Sequence, residues 1–256
     1  MIRLGICTDI GRAEVMKEIG YDYVEMNLSG IAALDEEGFA SLKKQVKESP
    51  LPVEATNCML PGGFSLCREG ALEDSLKAYL AKAFTRAGEL GVKVAVFGSG
   101  GARNLPEGMS EEEGMKYLAA FLKYAGPLAA EQGITIAVEP LRRAECNIIN
   151  TVAQAQKLAA MADEPNVKSL ADLYHMMSGN EAYDALDNGI GVVHTHIAER
   201  LTRAYPKKGD GSEKDYEAFF AKLHSAGYDG RVSVEGGCKD FAEDAKLSFE
   251  LLHEYI

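Results

Sequence analysis

The segment Glu131-Gln-Gly-Ile-Thr-Ile-Ala-Val-Glu139 contains the pattern that determines the fold. An amphipathic stretch ends at a glycine, and a run of apolar and β-branched residues begins immediately after it. Glycine readily adopts the left-handed conformation that ends many helices, and an unbroken apolar run is typical of a parallel strand buried on both faces. The segment therefore predicts the end of a helix followed directly by a buried strand.

The same helix-glycine-strand unit recurs along the chain, with further copies beginning at Glu18, Glu89, Asp187 and Ser225. Additional strand-like runs bring the number of predicted strands to eight, and these runs lie near Ile2–Cys7, Val53–Cys58 and Val167–Ala171. Helical patterns separate the strands, near residues 11–19, 35–48, 71–90, 111–132, 151–162, 180–188, 213–226 and 240–255.

Eight alternating strands and helices without a sharp change in composition predict an α/β fold, a single (β/α)8 TIM barrel formed by residues 1–256. The chain contains only eight prolines, which leaves little material for a linker between domains. An open, doubly wound sheet is the alternative fold, but eight units within this length favour closure into a barrel.

The composition is that of a globular protein, with 46% hydrophobic and 26% charged residues. The net charge of −12 argues against nucleic acid or an anionic membrane as the main partner, because both bind surfaces rich in lysine and arginine. No apolar run approaches the ~20 residues that span a bilayer, and the first residues read as a strand rather than a signal peptide. Five cysteines without a C-x-x-C pair suit reduced thiols. These features predict a cytoplasmic enzyme.

Four residues that could bind a metal end apolar runs in the second half of the chain: Glu139, Asp172, His196 and Glu235. Carboxylate and imidazole groups suit divalent cations such as Mn²⁺, Mg²⁺, Co²⁺ or Zn²⁺. Active sites of (β/α)8 barrels lie at the carboxyl ends of the strands, and neighbouring strands are ~4.8 Å apart, so the four side chains can converge on one ion. Each residue alone has another interpretation, since Asp172, for example, could cap a helix beginning at Leu173. As a set they predict a metal site.

Four motifs point to a known family: Glu139-Pro-Leu-Arg-Arg-Ala-Glu-Cys-Asn-Ile-Ile-Asn-Thr, Asp172-Leu-Tyr-His, His194-Thr-His-Ile-Ala and Val232-Ser-Val-Glu-Gly. Together they resemble the xylose-isomerase-like superfamily of sugar isomerases and epimerases, most closely its ketose 3-epimerases and hydroxypyruvate isomerases. The resemblance covers nearly the whole chain and is strongest between residues 133 and 236. It implies an isomerase of carbohydrate metabolism that depends on one divalent metal ion, with Mn²⁺ expected before Mg²⁺, Co²⁺ or Zn²⁺.

The resemblance also implies roles for individual residues. Four of them would bind the metal: Glu139, Asp172, His196 and Glu235. Two of these ligands, Glu139 and Glu235, would also act as the acid and base. Three residues would contact substrate oxygens: Glu145, His175 and Arg203. The chain departs from the family pattern at Arg142, where relatives often carry asparagine, and a homo-oligomer is compatible with the superfamily although no stretch of sequence indicates an interface.

The chemistry of such a reaction explains the choice of residues. Moving a carbonyl group, or inverting the carbon beside it, requires removal of a weakly acidic C–H proton and stabilisation of an enediolate. A divalent cation on the substrate oxygens stabilises this charge, and two carboxylates on opposite faces can remove the proton from one side and return it to the other. The predicted substrate is therefore a small sugar, a sugar phosphate or a keto-hydroxy acid.

Two other enzyme classes share the scaffold. A metal-dependent lyase or dehydratase would use the same metal and base with a leaving group at the β position, and this alternative stays open. A phosphodiesterase of the abasic-site endonuclease type needs three zinc ions and additional histidines, whereas this chain has five histidines and its early strands end in Asn27, Asn57 and Gly98. Its acidic composition also argues against a DNA-binding surface.

Several polar residues have a second interpretation. His175 could simply fill the pocket, and Glu145 could respond to a helix dipole. His194 lies on the same strand face as His196 and is predicted to line the pocket or support the ligand rather than bind the ion. A clamp for hydroxyls, a carboxylate or a phosphate could be formed by Arg203, Lys207 and Lys208, although both lysines could also be surface charges.

Overall fold

Eight parallel strands form a closed barrel in the computed structural model, which describes residues 1–186 and 191–256. The strands are β1 (Arg3–Cys7), β2 (Tyr23–Asn27), β3 (Val53–Asn57), β4 (Val94–Phe97), β5 (Thr135–Val138), β6 (Val167–Asp172), β7 (Val192–Ile197) and β8 (Arg231–Val234). Each strand pairs in parallel with the next, and β8 pairs with β1, so the sheet has no edge. The predicted (β/α)8 barrel is confirmed, and the open doubly wound sheet is excluded.

Helices follow the strands and cover the outside of the barrel. They are α1 (Ala13–Ile19), α2 (Leu28–Ala33), α3 (Glu36–Glu48), α4 (Asp74–Glu89), α5 (Gly100–Arg103), α6 (Glu111–Ala130), α7 (Val152–Ala162), α8 (Leu173–Gly179), α9 (Glu213–Ser225) and α10 (Phe241–Leu252). Short 3-10 segments add Ile10–Arg12 and Tyr183–Leu186.

Most of the predicted helices are confirmed to within a few residues of their ends. The prediction of a helix near residues 180–188 is wrong for the described residues of this range, which form only the 3-10 turn Tyr183–Leu186. Residues 187–190, the first half of the unit beginning at Asp187, lie outside the described residues. Three short helices, α2, α5 and α8, have no counterpart among the predicted ones.

The passage from α6 to β5 shows why the glycine is needed. Gly133 has a φ of 70°, which a residue with a side chain adopts only under strain. In this conformation the Gly133 amide donates to the Ala130 carbonyl, and the Ile134 amide donates to the Ala129 carbonyl, both at 2.9 Å. The last carbonyls of the helix are thereby satisfied, and the chain enters the buried strand after one short turn.

The barrel interior has an apolar layer beneath a polar layer. A separate cluster of buried residues fills the lower part of the interior: Tyr23, Ala55, Val94, Val96, Ala137 and Leu170. Alternate residues of a strand share a face, so the interior positions two residues further along β2, β3, β4, β5 and β6 are Glu25, Asn57, Gly98, Glu139 and Asp172. At four of these five positions the strand period therefore places a polar side chain at the carboxyl end of the barrel.

No helix in the described parts of the chain is long and apolar enough to cross a membrane.

The start of α7 depends on a partly buried carboxyl group. The Val152 amide donates to Glu181 Oε1 at 2.8 Å, while Glu181 Oε2 is buried without a hydrogen-bond partner among the described residues. Burial is the main reason why the pKa of Glu181 rises to about 7, and the Val152 amide opposes it. A carboxyl whose pKa is raised in the folded state favours folding while it is protonated, and this contribution is lost as the pH rises through the folded-state value.

We expect Glu181→Gln to stabilise the protein at pH 8 but not near pH 4.5, because glutamine keeps the acceptor for Val152 and removes the buried charge. The free energy of unfolding at pH 8 should rise by about 1 kcal/mol. This is less than the energy equivalent of the pKa shift, because solvent screens a partly exposed group. Urea denaturation in EDTA at both pH values measures it, with the exposed Glu37→Gln as the matched control. A gain of the same size at both pH values would contradict this linkage.

Candidate active site

Residues at the carboxyl ends of four neighbouring strands form one cluster: Glu139, Asp172, His196 and Glu235. One potential ligand atom of each lies within 4.8 Å of those of the other three. His196 Nδ1 is 3.1 Å from Glu139 Oε1, 3.3 Å from Glu235 Oε2 and 4.0 Å from Asp172 Oδ2. The structure thus brings together the four residues that the sequence predicts as ligands, from β5, β6, β7 and β8.

The cluster fits a divalent cation. Ligands that bind an ion at about 2.0–2.3 Å lie roughly 3–3.5 Å from one another around it, and two of the three distances from His196 Nδ1 fall in this range. Three carboxylates and one imidazole also form a donor set that suits Mn²⁺, Mg²⁺, Co²⁺ or Zn²⁺. Cys7 adjoins His196 and Glu235, but burial raises the pKa of its thiol well above the usual value, so it is a poor ligand while protonated.

The two glutamates of the cluster have pKa values shifted in opposite directions. Burial and the nearby charge of Glu235 raise the pKa of Glu139. Burial also acts to raise the pKa of Glu235, but the charges of His196 and Arg203 outweigh it and lower the pKa to about 2. Two carboxyl groups at one site therefore differ in their affinity for a proton, which is the condition for one to act as an acid and the other as a base.

Arg203 connects the cluster to Glu145. The guanidinium of Arg203 donates to Glu235 Oε2 at 2.7 Å and to Glu145 Oε2 at 3.5 Å. Glu145 Oε1 accepts from Arg142 Nε at 2.7 Å, and both guanidinium groups lie over the ring of Tyr174, at 5.1 Å for Arg142 and 4.9 Å for Arg203. Arg142, the residue at which this chain differs from the family pattern, therefore pairs with Glu145, which is predicted to contact substrate.

His175 presents an unpaired donor to the site. Its Nδ1 accepts the Arg142 amide at 3.2 Å, so in the neutral ring Nε2 carries the proton. Nε2 is buried without a hydrogen-bond partner in the described residues, 3.8 Å from Asp172 Oδ2 and 4.0 Å from Glu145 Oε2. The Asp172 Oδ1 atom also accepts the His175 amide at 3.0 Å, so Asp172 caps α8 as well as joining the cluster.

Two cavities open at this end of the barrel. One, of about 460 Å³, is lined by residues that include Glu139, Glu145, Arg203 and Glu235. The other, of about 450 Å³, is lined by residues that include Cys7, Asp9, Asn27, Asn57 and Ile31. Both volumes are typical of small-molecule sites.

The three residues considered as an anion clamp are not arranged as one. Arg203 lines the cavity beside the cluster. Lys208 pairs with Glu254 at the exposed surface, and Lys207 lines a different cavity together with Lys239. Arg203 is consequently the only one of the three that faces the cluster.

The sequence interpretation missed a buried carboxylate, Glu25, in the centre of β2. It is fully buried, and its oxygens lie 2.7 Å from His194 Nε2 and 3.0 Å from His196 Nε2. It also assigned no role in the site to Asn57, whose Nδ2 donates to Glu235 Oε1 at 2.9 Å. The signal for Glu25 was an acidic residue inside the apolar run Tyr23-Val-Glu-Met-Asn27, on the face shared with Asn27.

Comparison with known proteins identifies the family. The model of the xylose isomerase-like TIM barrel family matches residues 13–255. The chain belongs to this family. The predicted resemblance is thereby confirmed.

The relatives of established activity are sugar epimerases and isomerases. The 3-dehydro-D-guloside 4-epimerase of Escherichia coli (strain K12) is 30% identical over 245 residues, which are 91% of this chain and 88% of that protein. The ketose 3-epimerase of Arthrobacter globiformis is 34% identical over 109 residues, 42% of this chain and 36% of that protein. This member of the xylose isomerase-like family is accordingly an enzyme of the isomerase class.

A solved structure shows the same fold. The D-allulose 3-epimerase from Methylomonas sp. in complex with D-allulose superposes with a TM-score of 0.85 at 21% identity, over 100% of this chain and 97% of that one.

We expect Gly98→Ala to displace one carboxylate of the cluster without disturbing the fold. A Cβ atom at Gly98 would lie 2.0 Å from Glu139 Oε2, the mobile end of a side chain that can move away. Mn²⁺ affinity should fall by about 10-fold or more, the scale seen when the surroundings of a metal ligand are disturbed.

Titration calorimetry with Mn²⁺ measures this effect, and Gly101→Ala is the matched control because a Cβ there meets nothing within 4 Å. Equal Mn²⁺ affinities for the two variants would refute the dependence of the cluster on this close approach.

Proposed function

We propose that the protein is a divalent-metal-dependent epimerase of an uncharged keto sugar or keto glycoside. The observation that carries this proposal is the convergence of Glu139 and Glu235 with Asp172, whose Oδ2 lies 3.8 Å from the unpaired Nε2 of His175. An epimerase needs two groups that exchange a proton with carbon and a donor for the neighbouring oxygen. The activities named for the relatives, which act on 3-dehydro-D-guloside and on ketoses, support the reaction class.

Glu139 and Glu235 are the groups that would transfer the proton. Both line the 460 Å³ cavity, and they project from β5 and β8. Arg203 and Asn57 bind the two oxygens of Glu235. Glu139 is buried and less well paired, so its pKa is raised, whereas the pKa of Glu235 is lowered. Removal of a proton by one carboxylate on one face of the substrate, and return by the other on the opposite face, inverts the carbon.

The residues Glu139, Asp172, His196 and Glu235 would hold the ion, with Mn²⁺ expected first. When bound, the ion supplies electrostatic stabilisation for the negative charge that develops on the substrate oxygens. The chain itself contributes His175 Nε2–H as a further donor to one of these oxygens. Arg203 and Glu145, whose Oε2 lies 4.0 Å from His175 Nε2, would orient the hydroxyl groups of the substrate.

The charge of the site favours an uncharged substrate. Five carboxylates lie in or beside it, from Glu25, Glu139, Glu145, Asp172 and Glu235, and the guanidinium groups of Arg142 and Arg203 together with one divalent ion offset four of their charges. No lysine is among the residues lining either of the two cavities. A terminal phosphate would therefore add charge without a partner, at the cost of its own desolvation.

Substitution of either glutamate tests the mechanism. Glu139→Gln and Glu235→Gln keep the shape but remove the base, and each should lower turnover at least ~10²-fold, the usual scale for a general acid or base. Metal content must be measured in the same samples. In D₂O, turnover by the wild-type enzyme should place deuterium on the inverted carbon, as mass spectrometry would detect.

Two results would contradict this mechanism. One is complete retention of the original hydrogen, which indicates a hydride shift. The other is undiminished turnover by a metal-loaded glutamine variant. Release of a β substituent instead of inversion would assign the protein to the lyases.

The substrate class is tested with matched pairs of ketoses, each with and without a terminal phosphate, and with a 3-keto glycoside. With Mn²⁺ present, kcat/KM should be at least ~10-fold higher for each uncharged substrate than for its phosphate, because the phosphate lacks a charge partner (a 10-fold ratio is about 1.4 kcal/mol). Equal or higher kcat/KM for the phosphates would show that the charge balance is misjudged, while leaving the epimerase chemistry untouched.

A further inference from the structure

Glu25 is a buried carboxylate that the proposed reaction does not use. Its exposure is 0%, and it lies at the centre of β2, directly above the apolar layer of the barrel. Its two oxygens face His194, His196 and Ser233. A buried charge is costly unless all of its oxygens are hydrogen-bonded.

Each oxygen of Glu25 has a defined partner. Oε1 accepts from His196 Nε2 at 3.0 Å, and Oε2 accepts from His194 Nε2 at 2.7 Å and from the Ser233 hydroxyl at 2.6 Å. The Ser233 hydroxyl is in turn 2.6 Å from the Tyr23 hydroxyl. Since a carboxylate can only accept, both imidazole groups must direct an N–H towards it.

This network determines which nitrogen of His196 is free. With the proton on Nε2, the lone pair of Nδ1 points at the three carboxylates of the cluster, as an ion ligand must. The opposite tautomer would place a proton in the ligand position and leave two acceptors, Nε2 and Glu25 Oε1, facing each other. The ring of His194 packs edge-on against that of His196, with centroids 5.0 Å apart, and limits its rotation.

We propose that Glu25 is a positioning residue that holds His196 in the tautomer and orientation required to bind the divalent ion. The proposal rests on the proposed metal site, and it assigns Glu25 no contact with substrate. The potential ligand atoms of Glu25, His194 and His196 also lie within 4.8 Å of one another, as those of a separate ion site would. Their separations of 2.7 and 3.0 Å are instead those of hydrogen bonds, and both oxygens are already engaged.

Glu25→Gln is the decisive variant, because the amide can accept only through one oxygen and places an NH₂ group against a histidine N–H. Mn²⁺ affinity measured by calorimetry should fall about 10–100-fold, the range typical for loss of a partner of a metal-bound histidine. Glu25→Asp, which keeps the charge, should lie between Glu25→Gln and the wild type. It also provides a second test in case the glutamine variant does not fold.

The matched control is Tyr23→Phe, which removes a hydrogen bond from the same buried network one step further from His196. It should destabilise the protein in EDTA but leave Mn²⁺ affinity within about twofold of the wild type, because the contact between Glu25 and His196 is intact. In ¹⁵N spectra of the Mg²⁺-loaded protein, His196 should carry its proton on Nε2 in the wild type and in Tyr23→Phe, and lose this preference in Glu25→Gln.

The outcomes separate this proposal from the function on which it rests. Wild-type affinity in Glu25→Gln, or equal losses in Glu25→Gln and Tyr23→Phe, would overturn the positioning role alone. Two Mn²⁺ ions per wild-type chain would replace the hydrogen-bonded network with a second metal site. A wild-type protein that binds no divalent ion would instead refute the metal site itself.

Discussion

Repulsion among carboxylates is the constraint on which the site depends. Glu139, Asp172 and Glu235 project towards one point from strands that a closed sheet cannot separate. Two unit charges 4 Å apart repel by about 4 kcal/mol at an effective dielectric constant of 20. The neighbouring groups therefore have to supply positive charge and donors, and Arg203, His196 and Asn57 do so around Glu235. Arg203, His196 and Asn57 therefore offset the repulsion and also fix the position of the Glu235 carboxylate.

The barrel and its cluster could be predicted because both follow from local patterns. A glycine at the end of an amphipathic stretch and an apolar run after it are visible in any one unit, and the barrel fold then places every strand end on the same rim. Glu139 and Glu235 could be recognised as potential ligands without knowing which residues they contact. Short helices such as α8 escaped prediction because two turns or fewer carry too little periodicity to distinguish them from loops.

Glu25 shows what the sequence could not reveal. Its partners are 169, 171 and 208 residues away along the chain, on β7 and β8. An acidic residue between apolar neighbours reads equally well as an exposed position on a half-buried strand. Only the closed sheet, which sets β2 across from β7 and β8 over the barrel interior, turns that residue into the acceptor for two imidazole groups. Polar networks of this kind depend on tertiary contacts and produce no periodic pattern in the sequence.

Asp172 faces two ways, with Oδ1 on the amide of His175 at the first turn of α8 and Oδ2 towards His196. The carboxylate is rigid, so any shift of Oδ2 towards a cation also turns Oδ1 and pulls on the helix that carries His175. A movement of one oxygen of Asp172 is thus linked mechanically to the orientation of His175. Under the proposed function, binding of the cation and binding of the sugar would therefore each favour the other, since such a coupling acts in both directions.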